Sequence, residues 1–112
     1  MSRQTVSIDP IRTLAFGSIS GSYAAVGGTL TQPVRLITFV NATDGDVFFS
    51  DDGVNNKLFL PAGTFKLFDI TTNRFSLDSI WCFGVGTQFY VKQSTAPSKG
   101  AVYIECLWGE NA

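Results

Sequence analysis

Short runs of alternating apolar and polar residues fill most of the chain, and this period of two residues is typical of β-strands. Gly, Pro, Asn and Asp residues stand between the runs, where turns select them. No window of about twelve residues has a helical period free of Gly, Pro and β-branched residues. The pattern therefore predicts about eight short strands, at residues 12–16, 23–26, 34–41, 46–50, 57–60, 64–70, 88–93 and 101–108, with a shorter one at 79–83.

The last of these runs alternates most cleanly and shows how the strands should divide their side chains between two faces. Val102, Ile104, Cys106 and Trp108 share one face, and Tyr103, Glu105 and Leu107 share the other. Evenly spaced short strands joined by turns favour an antiparallel β-sandwich, jelly-roll-like or closed as a small barrel. We expect one such domain over residues 12–112.

Residues 1–11 precede the first predicted strand and end at Asp9-Pro10, where proline disfavours both helix and a continuing strand ladder. We expect them to form an extended N-terminal arm. Val6, Ile8 and Ile11 alternate with polar residues there, so the arm could add as a strand to the sheet edge of another subunit. The alternative is an ordinary frayed terminus.

The run at residues 34–41 is apolar on both faces, and Asp44-Gly45 is a tight-turn signal directly after it. We therefore predict a hairpin in which residues 46–50 return beside residues 34–41. A strand that is apolar on both faces is either buried on both sides or covered on one side by a partner.

Composition narrows the function classes. The chain has 112 residues, of which 45% are hydrophobic and 15% charged, with a net charge of −1 and no histidine. This is enough apolar surface for one packed domain and excludes intrinsic disorder. A basic face for nucleic acid is missing, and Ser-His and Cys-His catalysis are impossible. The N-terminus has no apolar signal-peptide core, and no run is long enough to span a bilayer. We expect no catalytic residue, no cofactor, no nucleic-acid partner and no membrane partner.

Acidic residues are concentrated at Asp44, Asp46, Asp51 and Asp52. Several loop oxygens could bind Ca²⁺, but the spacing matches no established calcium loop and lacks a bidentate Glu. Asp is also the residue that turns select for local hydrogen bonds. Turn chemistry is the favoured interpretation, and no metal site is predicted.

Two cysteines, Cys82 and Cys106, lie inside apolar runs. They are too few for a disulfide framework, and we expect small buried side chains that stay reduced. A Cys82–Cys106 bridge between neighbouring strands is the alternative.

Several runs place large apolar side chains on both faces, which a single small sandwich does not need. Strands bent around a closed barrel, or a covering arm, would explain this. The interpretation we favour is that another subunit covers one face. The interface candidates are Val6, Ile8, Ile11, Phe48, Phe59, Phe68, Trp81 and Trp108.

Six segments together resemble small β-structured virion proteins of tailed bacteriophages: Pro33–Leu36, Asn41–Asp44, Phe49–Gly53, Leu60–Gly63, Gln88–Lys92 and Ala96–Tyr103. The resemblance covers most of the chain and rests on turn-and-strand patterns rather than catalytic motifs. It implies a non-enzymatic β-sandwich present in many copies, as a capsid decoration (cement) protein or at the head–tail connection. The implied location is the virion, assembled in the host cytoplasm.

Capsid decoration is the favoured function, with the chain itself and the major capsid protein as partners and a homotrimer as the expected assembly. A head–tail connector or tail component that forms a ring is the second reading. The third is a carbohydrate-binding module or fibre head in which Trp81, Trp108 or Tyr103 lines a sugar groove.

Overall fold

The computed structural model describes residues 4–69 and 82–111. Strands make up its regular structure in these ranges, apart from one 3₁₀ turn at Phe16–Ser18. The strands are β1 (Gln4–Ile8), β2 (Arg12–Ala15), β3 (Ala24–Ala25), β4 (Leu36–Asn41), β5 (Val47–Ser50), β6 (Leu58–Leu60), β7 (Phe65–Asp69), β8 (Tyr90–Gln93) and β9 (Ala101–Asn111).

Two antiparallel sheets pack face to face. The five-stranded sheet has the order β1-β9-β4-β7, with β2 also paired to β9, and the four-stranded sheet has the order β3-β8-β5-β6. The prediction of an all-β antiparallel sandwich is confirmed.

The strand pairing is nested, which identifies the topology as that of a jelly roll. Counting from β2, the first strand pairs with the last (β2 with β9), and β3 pairs with β8, β4 with β7 and β5 with β6. Strand β1 lies outside this set and continues along β9 beyond β2. Residues 4–8 of the expected arm are thus a strand on the chain's own sheet.

The predicted hairpin between residues 34–41 and 46–50 is wrong, because β4 and β5 belong to different sheets. A buried polar corner turns the chain from one sheet to the other. The Asn41 amide donates to the carbonyls of Gly45 (2.8 Å) and Leu60 (3.0 Å), and its oxygen accepts from the Thr43 N–H (3.0 Å). This side chain supplies the hydrogen bonds that a hairpin ladder would otherwise make.

The core lies between the sheets and is organised around Phe39. Its ring contacts those of Phe49, Phe89 and Phe68, at centroid distances of 5.2, 5.3 and 6.0 Å. Burying one large apolar side chain contributes about 1.5–3 kcal/mol, so this cluster is a main source of stability. The fully buried members of the core include Val26, Leu30, Ile37, Val47, Leu60, Val91, Val102 and Ile104.

Strand β9 divides its side chains as predicted: Val102, Ile104 and Cys106 are fully buried, whereas Glu105 on the opposite face is exposed. Most of the strand predicted at 79–83 lies outside the described residues. Its last residue, Phe83, forms an isolated antiparallel bridge with Val34.

Candidate interaction surface

The outer side of the five-stranded sheet carries apolar side chains on strands β1, β4, β7 and β9. Residues directly opposite each other on paired strands share a face. Val40 is opposite Tyr103 on one side and Phe65 on the other, and all three point away from the core. We call this surface the outer apolar face; its members are Val6, Ile8, Leu36, Val40, Phe65, Leu67, Tyr103 and Leu107.

Four members of the outer apolar face are largely exposed, and they lie on the two edge strands. Val6 and Ile8 on β1 are 69% and 79% exposed, and Phe65 and Leu67 on β7 are 67% and 55% exposed. Single exposed apolar residues are common, whereas a group of large exposed apolar side chains on one face of a sheet indicates an interaction site.

Glu105 is an exposed acidic residue on this face and lies opposite Thr38 in the middle of the sheet. A matching surface would therefore be apolar with a cationic side chain facing this position.

The sequence-predicted interface residues are distributed over several surfaces. Val6 and Ile8 lie on the outer apolar face, and Ile11, 54% exposed, is in the link between β1 and β2. Phe48 and Phe59 lie on the outer side of the other sheet, where their rings are 5.3 Å apart and Lys92 Nζ is 5.9 Å from the Phe48 ring centroid.

Two of the remaining candidates contribute to the interior. Phe68 and Trp108 are partly buried and pack against the core, so they do not belong to either outer surface. Trp81 lies outside the described residues.

Phe65 and Leu67 were not among the predicted interface residues. The run Phe65-Lys66-Leu67-Phe68-Asp69 has apolar side chains on both faces, and only its register shows which of them face outward. Because Phe68 lies opposite the buried Ile37, Phe65 and Leu67 must point to the other side.

The four acidic residues that are close in sequence lie at opposite ends of β5, which is about 13 Å long. At one end, Asp44 accepts hydrogen bonds from the N–H and hydroxyl of Ser98, and Asp46 accepts one from the Ala62 N–H (2.9 Å). In residues 4–69 and 82–111, no three Cys, Asp or Glu side chains form a group that could hold a metal ion.

At the other end of β5, Asp52 closes the turn to β6. Its carboxylate accepts hydrogen bonds from the Asn55 N–H (2.9 Å), the Ser50 hydroxyl (2.7 Å) and the Val54 N–H (2.8 Å), which hold its pKa well below the ordinary value. Asp51 pairs with Lys57 at 2.6 Å. The predicted turn chemistry accounts for both carboxylates.

The two cysteines are free and lie in different environments. Cys106 is fully buried in the core, as expected, and burial raises the pKa of its thiol to about 11. Cys82 is exposed, so the expectation that both are buried is wrong for this residue, and the alternative of a bridge between them is wrong as well.

A cavity of about 190 Å³ opens between the sheets, with five phenylalanine rings in its wall and Lys57 and Asp51 beside it. Lys57 and Asp51 pair with each other. The described residues that line the cavity therefore offer apolar contact but no unpaired charge to orient a ligand.

Over the residues described, the chain contains no helix that is long and apolar enough to cross a membrane. Comparisons with protein-family models, with curated proteins and with solved structures found no match for this chain.

Proposed function

We propose that this chain is a non-enzymatic structural protein of a bacteriophage virion and that it decorates the capsid as a cement protein. The observation that carries the proposal is the outer apolar face. Four large side chains there are more than half exposed, and a neighbouring protein that covers them would remove this surface from water.

The topology and the resemblance support the same assignment. Jelly rolls occur in viral capsid domains and also in lectins, so the fold alone does not decide between these functions. The turn-and-strand segments that resemble phage virion proteins favour the first.

Charge favours a capsid subunit rather than a second copy as the protein that covers the outer apolar face. If two copies met through this face around a twofold axis, the Glu105 carboxylates of both copies would lie in one apolar interface. A shell subunit with apolar and cationic side chains would complement it. A small contact for each copy is sufficient, because many copies bound to one closed shell stabilise it together.

Binding to shells tests the proposal. The purified chain is mixed with empty heads of the phage that encodes it, and the copies bound per particle are counted. We expect hundreds of copies and an increase in the temperature at which the heads break. Six or twelve copies at one vertex would favour a connector or tail component instead, and absence from the particle would refute a virion role.

A pair of variants links binding to the outer apolar face. Leu67→Asp adds a charge to the face, whereas Val54→Asp adds the same charge to a loop residue that is 75% exposed and lies off the face. We expect Leu67→Asp to abolish binding and Val54→Asp to retain it. Equal binding of both variants would show that another surface meets the shell.

The carbohydrate-binding alternative retains one of its three candidate residues on the outer apolar face. Tyr103 lies there half-buried, whereas Trp108 packs against the core and Trp81 is outside the described residues. A glycan array tests this alternative: specific sugar binding that Tyr103→Ala abolishes, with no binding to heads, would replace the cement proposal.

A further inference from the structure

The outer side of the four-stranded sheet carries a row of aromatic side chains with one amine among them. Phe48 on β5 lies opposite Phe59 on β6 and Lys92 on β8. The neighbouring Phe49 is fully buried, so these three side chains face away from the core. Tyr23, directly before β3, extends the row beyond β8. We call these residues, Phe59, Phe48, Lys92 and Tyr23, the aromatic strip; it crosses four strands and is about 14 Å long.

The amine of Lys92 lies close to two of the rings. Its Nζ is 5.0 Å from the ring centroid of Tyr23 and 5.9 Å from that of Phe48, distances at which an aromatic face attracts a cation. In residues 4–69 and 82–111, no carboxylate lies within salt-bridge distance of it. Asp51 in the turn after β5 has its own lysine partner at 2.6 Å, and Asp52 accepts hydrogen bonds within that turn. The strip therefore holds a positive charge that these carboxylates do not neutralise.

The turn between β5 and β6 borders the aromatic strip. The Tyr23 hydroxyl donates to Asn56 Oδ1 at 2.6 Å and to the Asn55 carbonyl at 3.2 Å. Gly53 lies against the ring of Tyr90, an outward-facing residue of β8, since a Cβ on this glycine would be 3.4 Å from three carbons of that ring. These contacts hold the turn beside the strip, and the exposed Asn56 amide provides hydrogen-bond donors at its rim.

A row of rings, a single amine and polar groups at the rim match one class of ligand. We infer that the aromatic strip binds an acidic saccharide, with the apolar C–H faces of its sugar rings packed on Phe48 and Phe59 and a carboxylate paired with Lys92. The rings supply apolar contact, and the amine supplies charge complementarity. The hydroxyl groups at the edges of the sugar rings stay in water or accept from the Asn56 amide.

Two other classes of ligand fit the aromatic strip less well. A single-stranded nucleic acid also stacks on aromatic rings, but its phosphates need several cations, whereas Lys92 is one cation with Asp51 and Asp52 in the bordering turn. The backbone of an acidic peptide needs hydrogen-bond partners, and the strands direct their own backbone groups within the plane of the sheet rather than toward this face. A peptide that pairs with a sheet joins it at an edge instead.

The aromatic strip and the outer apolar face lie on opposite sides of the sandwich, because they belong to different sheets. A chain bound to a shell through the outer apolar face would therefore present the strip to the surroundings of the particle. Only this orientation rests on the proposed function; saccharide binding by the strip does not. The strip is also distinct from the surface that holds Tyr103.

A glycan array of uronic-acid, sialic-acid and neutral oligosaccharides, probed with the purified full-length chain, tests the inference. We expect binding to acidic members and about tenfold weaker binding to their neutral counterparts. In an NMR titration, the strongest acidic oligosaccharide should shift the backbone amide signals of Phe48, Phe59 and Lys92 and leave that of Leu67 unchanged. Absence of binding to every acidic oligosaccharide, or shifts that spare the strip, would overturn the inference. Tighter binding of polyglutamate or of an oligothymidylate would also overturn it, in favour of a peptide or a nucleic acid.

Two pairs of variants separate charge from stacking. Lys92→Gln removes the charge of the strip, and Lys99→Gln, at an exposed loop lysine, is its control. Phe59→Leu removes a ring but keeps an apolar side chain, and Phe16→Leu is its control, because Phe59 and Phe16 are 40% and 38% exposed. We expect Lys92→Gln to weaken binding about tenfold and Phe59→Leu about fivefold, with both controls unchanged. If each variant bound as tightly as its control, the strip would not be the site.

Empty heads separate this inference from the proposed function. Lys92→Gln and Phe59→Leu should be folded by circular dichroism and bind heads like the wild type, whereas Leu67→Asp should bind the saccharide and not the heads. A wild-type chain that binds the saccharide but no heads would refute the proposed function alone, and the reverse result would refute the saccharide site alone. Loss of head binding in Lys92→Gln would identify the strip as a shell contact and overturn the inference.

Discussion

Arg12 and Asp9 form a buried ion pair at the point where β1 gives way to β2. Arg12 Nη1 lies 2.7 Å from Asp9 Oδ2, and the two residues are only 8% and 6% exposed. The guanidinium also donates to the carbonyls of Gly28 (3.0 Å) and Thr29 (3.2 Å). The pair thus joins the junction of β1 and β2 to the loop that follows β3.

We expect Arg12→Met to lower the free energy of unfolding by about 3–5 kcal/mol, because it leaves the Asp9 carboxylate buried without its partner. Urea denaturation of the full-length chain measures this. Lys57→Met is the control: it removes an ion pair of similar length, to Asp51, but one that is exposed to water, so it should change stability little. Similar losses for both variants would show that burial does not determine the strength of these pairs.

Two truncations test the same junction. Deleting residues 1–8 removes a strand with exposed apolar side chains and keeps the ion pair, so the sandwich should fold and lose little stability. Deleting residues 1–9 also removes Asp9 and leaves the Arg12 guanidinium buried without a carboxylate. We expect the second truncation to be less stable by at least about 2 kcal/mol. Equal stability of the two would mean that Asp9 contributes nothing to the junction.

Alternation along single strands was enough to predict the fold class and much of the core. The division of side chains on β9 is an example: buried Ile104 and exposed Glu105 are neighbours, as their order in the sequence requires. The pairing of β4 with β5 was predicted wrongly, because the Asp-Gly signal marks a turn but not the sheet to which the chain returns. The buried amide of Asn41, which donates hydrogen bonds to the Gly45 and Leu60 carbonyls, holds the turn that leads the chain into the other sheet.

The interaction surface was predicted less well, because it depends on register between strands that are distant in sequence. Phe68 and Phe65 are equally apolar, and only the pairing of Phe68 with Ile37 shows which one faces inward. Asp9 and Arg12 are three positions apart in the sequence, but nothing in their spacing shows that both are buried. Such features arise from long-range packing.

Acid should destabilise the protein through two turn carboxylates. Hydrogen bonds to Asp52, from Asn55 first and then Ser50, lower its pKa, and those from Ser98 lower the pKa of Asp44. A carboxyl whose pKa is lowered in the folded state stabilises the protein at pH values above its pKa in the unfolded chain, about 3.9. This contribution is lost as the pH falls from there through the lowered pKa of the folded state.

Urea midpoints measured from pH 7 down to pH 2 check this. We expect Asp52→Asn to lower stability at pH 7 and to flatten its decrease below about pH 4. Asn56→Ala, in the same turn, is the control and should keep the wild-type acid dependence. An Asp52→Asn variant with the full wild-type decrease would show that this carboxyl is not responsible.

Thiol labelling should distinguish the two cysteines. At neutral pH, a disulfide reagent such as DTNB should modify one thiol per native chain, that of exposed Cys82, and two thiols in urea. Cys106 should be protected, because it is fully buried and its raised pKa of about 11 keeps it as the unreactive thiol. Cys82→Ser should remove the fast reaction. Rapid modification of two thiols in the native state would contradict the burial of Cys106.

Alanine substitutions at two glycines distinguish the cost of backbone strain from the cost of steric crowding at the polar corner. Gly63 and Gly100 both have positive φ, +72° and +89°, so alanine is strained at either position. An added Cβ at Gly63 meets no atom within 4 Å, whereas at Gly100 it would collide with the Ala42 carbonyl oxygen. That segment is also fixed by the hydrogen bond from the Ala42 N–H to the Ala101 carbonyl (3.0 Å).

We therefore expect Gly63→Ala to cost about 1–2 kcal/mol, the penalty for the left-handed conformation alone. Gly100→Ala should cost at least about 2 kcal/mol more, because the corner and the start of β9 must separate to admit the methyl group. Urea denaturation of the two variants gives the difference directly. Equal losses of unfolding free energy for the two variants would contradict this prediction. They would show that the close packing of β9 against the corner between the sheets does not contribute to stability.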